Sequence, residues 1–172
     1  MAKDDLPRLR ARALQPPLHI VLVEPEIPQN TGNIARLAGT LQSPLHLVGP
    51  LGFSVSDKAV RRAGLDYWHL VEVARHDDLA AFGQVHPEAS LKLFSAVASR
   101  CYLDARYGPG DALVFGCESS GLPQEVLDAY PDQTYALPTI GHVRSLNLAN
   151  TVAVVLYEAH RQLGTFGQLT RG

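Results

Sequence analysis

Six side chains in three short stretches carry most of the chemical potential of this sequence. In PQNTGNIARLA an amide, Asn30, precedes a guanidinium, Arg36. In FGCESSGLP a single carboxylate, Glu118, stands between Gly116 and Gly121. In VRSLNLAN a cation, a hydroxyl and an amide follow one another as Arg144, Ser145 and Asn147. Such groups orient a polar or anionic ligand and stabilise developing charge. A histidine base is not evident, because His142 has no carboxylate among its neighbours to orient it. Each stretch also has a plainer reading. In the first, Pro25 and Pro28 fix a turn, Asn30 or Thr31 caps a helix, and Arg36 is solvated. The second reads equally as a β-to-α turn, and in the third Ser145 or Asn147 reads as a helix cap.

Three familiar loops do not fit the second stretch. A P-loop needs Lys-Ser/Thr after its second glycine, where this chain has Leu122-Pro123. The dinucleotide fingerprint G-x-G-x-x-G is absent. The nucleophile elbow G-x-S-x-G is one residue too short to match Gly116 to Gly121. What remains is a glycine-bounded loop in which backbone can approach a ligand closely.

The elements that must position these groups read as alternating strands and helices. Strands are expected at 18–23, 45–48, 69–73, 91–97, 112–115 and 134–137, as short apolar runs. Ile34, Leu37, Ala38 and Leu41 make one helical stripe. Weaker helical patterns cover 57–64 and 77–83, and 123–130 opens on Pro123. The clearest helix spans 147–163, buries Leu148, Val152, Val155, Leu156, Ala159 and Leu163, and stops at Gly164. This alternation predicts an α/β domain with a mostly parallel sheet flanked by helices. Ligands of such sheets bind outside the carboxyl ends of the strands. The three stretches follow strands ending at Val23, Phe115 and Leu137.

Bulk properties narrow the class. A chain of 172 residues, 46% apolar and 19% charged, suits one domain, expected over 18–164. Residues 1–17 read as a basic, flexible arm and 165–172 as a tail. No apolar run approaches the ~20 residues of a membrane span, and the N-terminus lacks the apolar core of a signal peptide. Cys101 and Cys117 are too few for a disulfide framework, which points to the cytoplasm. Seven histidines include no zinc-type spacing and no C-x-x-C occurs, so no metal is expected. The net charge of −2 argues against general nucleic-acid coating but leaves room for a local patch. Lys58, Arg61 and Arg62 fall on one helical face with Tyr67 and Trp68 close after, and Arg144 extends that set.

Taken together and in this order, the three stretches resemble the motifs of the SPOUT methyltransferases, specifically the SpoU branch of RNA ribose 2′-O-methyltransferases. The signatures are Asn30 to Arg36 within PQNTGNIARLA, then FGCESSGLP, then LPTIGHVRSLNLANTVAVVLYE. EPEIPQNTGNIARLAG and GFSVSDKAVRRAGLDYW narrow the likeness to compact bacterial members that modify the tRNA wobble nucleotide, position 34, as cytidine or modified uridine. The similarity covers about residues 18 to 164. It implies a C-terminal trefoil knot, S-adenosyl-L-methionine as cofactor, a homodimer whose first motif helps complete the partner's site, and the tRNA anticodon stem-loop as substrate. Arg36, Asn30, Glu118, Ser145 and Asn147 match the family's reaction-centre positions. Ala96, Gly116, Glu118, Gly121, Leu137, Ser145 and Leu146 match its cofactor loops, Ala96 standing where the family has a leucine. The alternatives are methylation at another tRNA or ribosomal RNA position, and a non-catalytic RNA-binding module on the same scaffold.

Overall fold

The computed structural model describes residues 8–54 and 70–171. Six strands form one sheet: β2 (His19–Val23), β3 (Leu45–Val48), β4 (Val73–His76), β5 (Leu91–Phe94), β6 (Ala112–Phe115) and β7 (Thr134–Tyr135). Their order is β4-β3-β2-β6-β5-β7, and every pairing is parallel. Among the described residues four helices flank it: α1 (Pro28–Leu41), α2 (Leu79–Val85), α3 (Gln124–Ala129) and α4 (Leu148–Gln162). β1 (Leu9–Ala11) and β8 (Leu169–Arg171) form a separate antiparallel ribbon that joins the arm to the tail.

Alternation along the strands separates two cores. Ile20, Leu22, Leu45, Leu47, Leu113 and Phe115 face α1 and α4. Val21, Val23, Val48, Leu93 and Val114 face α2 and α3 on the opposite side. Both faces are covered, so the strands read as continuous apolar runs. Phe94 and Phe115, neighbours in register, stack at 4.9 Å. The helical stripe predicted for α1 holds, with Ile34 and Ala38 fully buried. α4 buries Val152, Val155, Leu156 and Ala159, and Gly164 takes φ +69° where it ends.

Both edge strands and the end of β5 differ from expectation. The run 69–73 was expected as a strand, yet β4 lies at Val73–His76, in register with Leu45–Val48. An edge strand is placed by its one partner and tolerates exposed polar residues, here Arg75, so hydropathy misplaced it. β5 ends at Phe94 rather than 97, where a turn closes with Ala98 N–H donating to Ser95 O. β7 stops at Tyr135 because its next residue, Ala136, leaves β5 to pair with Cys101. The helical pattern at 57–64 lies outside the described residues.

The strand order fixes where a ligand can sit. From β2 the chain crosses to α1 on one face, and from the adjacent β6 it crosses to α3 on the other. The two connections part at this point and leave a crevice between them, the usual ligand position in open parallel sheets.

Candidate functional site

Four loops leave the same sheet edge side by side. They follow β2, β6, β5 and β7, whose ends are held in register by the pairs Leu22–Phe115, Phe115–Phe94 and Phe94–Tyr135. All three stretches singled out in the sequence therefore converge.

In the first corner, Glu24 adopts φ +52° and its N–H donates to Val48 O. Pro28 is the first residue of α1, where its missing N–H costs nothing. Asn30, expected as a cap alongside Thr31, instead lies inside α1. Ile27 is the cap residue and supplies no side-chain bond. The N–H groups of the cap residue and of the residue before it are satisfied from elsewhere. Glu118, arriving from the β6 loop, accepts from Glu26 N–H at 2.9 Å and Ile27 N–H at 3.3 Å. This carboxylate therefore holds the entry to α1 from across 91 residues of sequence, and its charge lies at the positive end of the helix.

Glu118 also accepts from the Asn30 side-chain amide at 2.8 Å. Asn30 Oδ1 in turn accepts from Asn147 Nδ2 at 2.9 Å. Asn147 is the N-cap of α4, its Oδ1 accepting from Ala149 and Asn150 N–H. One hydrogen-bonded line, Glu118–Asn30–Asn147, thus ties all three corners together. Asn30 is 6% exposed, so these bonds are shielded from water and stronger for it.

Glu26 joins this cluster without having been singled out in the sequence. Its carboxylate accepts from Ser119 N–H at 3.0 Å and Ser119 Oγ–H at 2.8 Å, while its own N–H donates to Glu118. The two loops exchange carboxylates across the switch point. The carboxylate pair in EPEIP was the visible signal, and only the neighbouring loop supplies its partner.

The remaining candidates divide. Arg36 is exposed on α1, facing away from Ile34 and Ala38 as the pattern predicted. Six residues at 100° each place its Cα about 240° around the helix from that of Asn30. Arg144, Ser145 and Leu146 are exposed in the loop before α4, and Leu137 is half-buried at its start. Ala96 is exposed in the turn after β5. Lys58, Arg61 and Arg62 lie outside the described residues.

The β6 loop is a tight backbone cradle. Cys117 N–H donates to Gly121 O and Gly121 N–H to Cys117 O. A Cβ on Gly116 would overlap the Gly121 carbonyl and the Leu122 nitrogen, and Gly121 itself has φ +75°. The Cys117 thiol packs against Ser120 Oγ and the Gly121 carbonyl inside this turn, and the two glycines keep its backbone open to close approach. Together with the turns at 95–97 and 137–146, it can hold a nucleoside-type cofactor. Gly116→Ala is expected to lower stability by about 2 kcal/mol or more and to abolish cofactor binding, read by thermal melting and calorimetric titration.

The chain matches the family described as "SpoU rRNA Methylase family" over residues 17–157. It is 45% identical over 155 residues to the tRNA (cytidine(34)-2′-O)-methyltransferase of Escherichia coli (strain K12), covering 90% of this chain and 99% of that protein. A solved structure described as "Structural insights into the 2-OH methylation of C/U34 on tRNA" superposes with a TM-score of 0.82 at 51% identity, over 88% of this chain and 97% of the other. An AdoMet-bound rRNA methyltransferase from Sinorhizobium meliloti superposes with a TM-score of 0.73 at 25% identity, over 90% of this chain and 62% of that one.

Proposed function

The chain belongs to the SpoU rRNA methylase family, and we propose that it methylates the ribose 2′-hydroxyl of the wobble nucleotide, position 34, in tRNA. The observation that carries this reading is the Glu118–Asn30–Asn147 line, which binds the three family motifs into one site at the switch point. The likeness to the position-34 enzyme over nearly its full length supports the substrate.

S-adenosyl-L-methionine, held by the loops at 95–97, 116–121 and 137–146, supplies a methyl carbon already activated by a cationic sulfur. The protein's task is alignment of the hydroxyl with that carbon, and stabilisation of charge as the hydroxyl proton leaves. Arginine keeps its proton in proteins, so Arg36 acts as an electrostatic partner of the developing alkoxide and a clamp on the adjacent phosphate. Glu118 and Asn30 hold the frame in which that alignment occurs. Asn147 and Ser145, at the mouth of α4, would hold the reacting ribose.

The outward direction of Arg36 supports a homodimer in which each Arg36 serves the partner's site. Exposed apolar side chains on α4 and in the loop before it, Val143, Leu146, Val154 and Tyr157, offer a surface for it. Within the domain, the likeness to SpoU methyltransferases supports a C-terminal trefoil knot. We place the protein in the cytoplasm with its tRNA. Cys101 and Cys117 are unpaired, and among the described residues no helix is long and apolar enough to cross a membrane.

Methylation of total tRNA with labelled cofactor, followed by mapping of the modified nucleotide, tests the reading. Label confined to the position-34 ribose is expected. Label at another position replaces the substrate, and an absence of label with intact RNA binding leaves the non-catalytic module.

A further inference from the structure

On the sheet face opposite α1 and α4, four imidazoles gather around the buried Phe82 ring, among valines, leucines and Ala112. His19 opens β2, His46 lies in β3, His76 ends β4, and His86 follows α2. His19 and His46 are 8% and 2% exposed. We propose that His19, His46 and His86 form a binding site for one divalent transition-metal ion of the zinc class, with His76 as the group that orients His46.

Geometry supports the site at three points. One nitrogen from each of His19, His46 and His86 lies within 4.8 Å of the other two. Imidazole nitrogens bind zinc at about 2.0–2.1 Å in tetrahedral sites, so ligand nitrogens on a common ion stand roughly 3.4 Å apart. His19 and His46 nitrogens already stand 2.9 Å apart, the widest pair needs to close by about 1.4 Å, and His86, only partly buried on a turn, is the ring able to move.

The second point is orientation. His46 Nδ1 lies 3.0 Å from His76 Nε2, and His46 Nε2 lies 2.9 Å from His19 Nδ1. If Nδ1 of His46 donates to His76, the Nε2 lone pair of His46 is turned toward His19, the arrangement in which an outer partner fixes the tautomer of a ligating histidine. The third point is His86. A hydrogen-bonded chain His19–His46–His76 accounts for three rings without it. Yet its centroid sits 4.6 Å from His19 and 4.9 Å from His46. Among the described residues its nitrogens have no hydrogen-bond partner, and Glu88 Oε1 stands 3.9 Å from its Nδ1. His86 also lines a cavity of about 480 Å³ between α2 and α3, which gives an ion a way in. Three imidazoles leave a fourth position for water or for Glu88.

The site lies away from the loops at the reaction edge, so it is a structural site that ties β2, β3 and the turn after α2. The untagged full chain, stripped with a chelator, is titrated with Co²⁺ and then Zn²⁺. One Co²⁺ per chain is expected, with the visible absorption of a four-coordinate nitrogen-rich site, displaced by Zn²⁺ and accompanied by a higher Tm. His86→Ala and His19→Asn, checked by circular dichroism, are each expected to lose roughly 10-fold or more in affinity. Methyl transfer by the stripped protein is expected to be unchanged. Non-saturable binding without a Tm shift, or wild-type binding in both variants, overturns the site. Should neither variant fold, X-ray absorption of the zinc-loaded wild type decides: three imidazole ligands sustain the site, and one or none ends it.

Discussion

Arg36→Lys is expected to bind S-adenosyl-L-methionine as the wild type does and to transfer methyl about 10²-fold more slowly, the usual loss when one charge-stabilising donor is removed. The expectation follows from where Arg36 sits. It is exposed on α1 and packs into neither core, so the substitution leaves fold and cofactor loops alone. Lysine keeps the charge but presents a point in place of a planar fork, and cannot hold an alkoxide and a phosphate at once. Single-turnover methylation beside calorimetric cofactor binding separates the two effects. A rate within a few-fold of wild type removes Arg36 from the reaction. Mixing Arg36→Ala chains with Glu118→Gln chains then tests the direction of the side chain. If Arg36 serves the partner's site, each mixed dimer holds one site with both residues intact, and activity returns on mixing. If it serves its own chain's site, no combination restores one.

How much of this was legible in the sequence depended on the range of the interactions. The central strands, buried on both faces, announced themselves as apolar runs because burial alone defines them. β2, β3 and β6 fall within a residue of expectation. The edges did not, because β4 and β7 are set by register with a single neighbour. The outward face of Arg36 was readable from helical spacing. The true role of Asn30 was not. Asparagine after a turn reads as a cap, and only Glu118, 88 residues away in sequence, shows that it works from inside the helix. Glu26 was equally opaque, since its partner Ser119 is 93 residues distant. The histidines show the same limit most clearly. Zinc spacings are local patterns, whereas His19, His46 and His86 are assembled by adjacent strands and the turn after the helix packed on them. Burial and the neighbouring imidazoles of His19, His86 and His76 hold His46 down to about 3, so its ring is uncharged at neutral pH, a state no count of histidines reveals.

The Glu118–Asn30 contact should show the second large effect, and in a form that distinguishes polarity from packing. Asn30→Asp keeps shape and volume but sets a second carboxylate 2.8 Å from the first, at a position 6% exposed. Two acceptors then face one another without a proton between them, and like charges this close in a buried site do not both ionise. Loss of about 2–3 kcal/mol in stability is expected, with methyl transfer falling by about 10²-fold or more as the three corners separate. Glu118→Gln alone also fails if its amide turns toward the Asn30 amide, because two donors then meet. Combining Asn30→Asp with Glu118→Gln restores one donor facing one acceptor. In that double variant the new glutamine amide donates to the new aspartate, whose other oxygen still accepts from Asn147, and the glutamine carbonyl still receives Glu26 N–H. Only the longer bond from Ile27, at 3.3 Å, loses its acceptor. The double variant should therefore be more stable and more active than either single one, a coupling between neighbours that a thermodynamic cycle measures directly. Additive losses would mean that the two side chains support the site separately, and that the line joining the three motifs does not act as a unit.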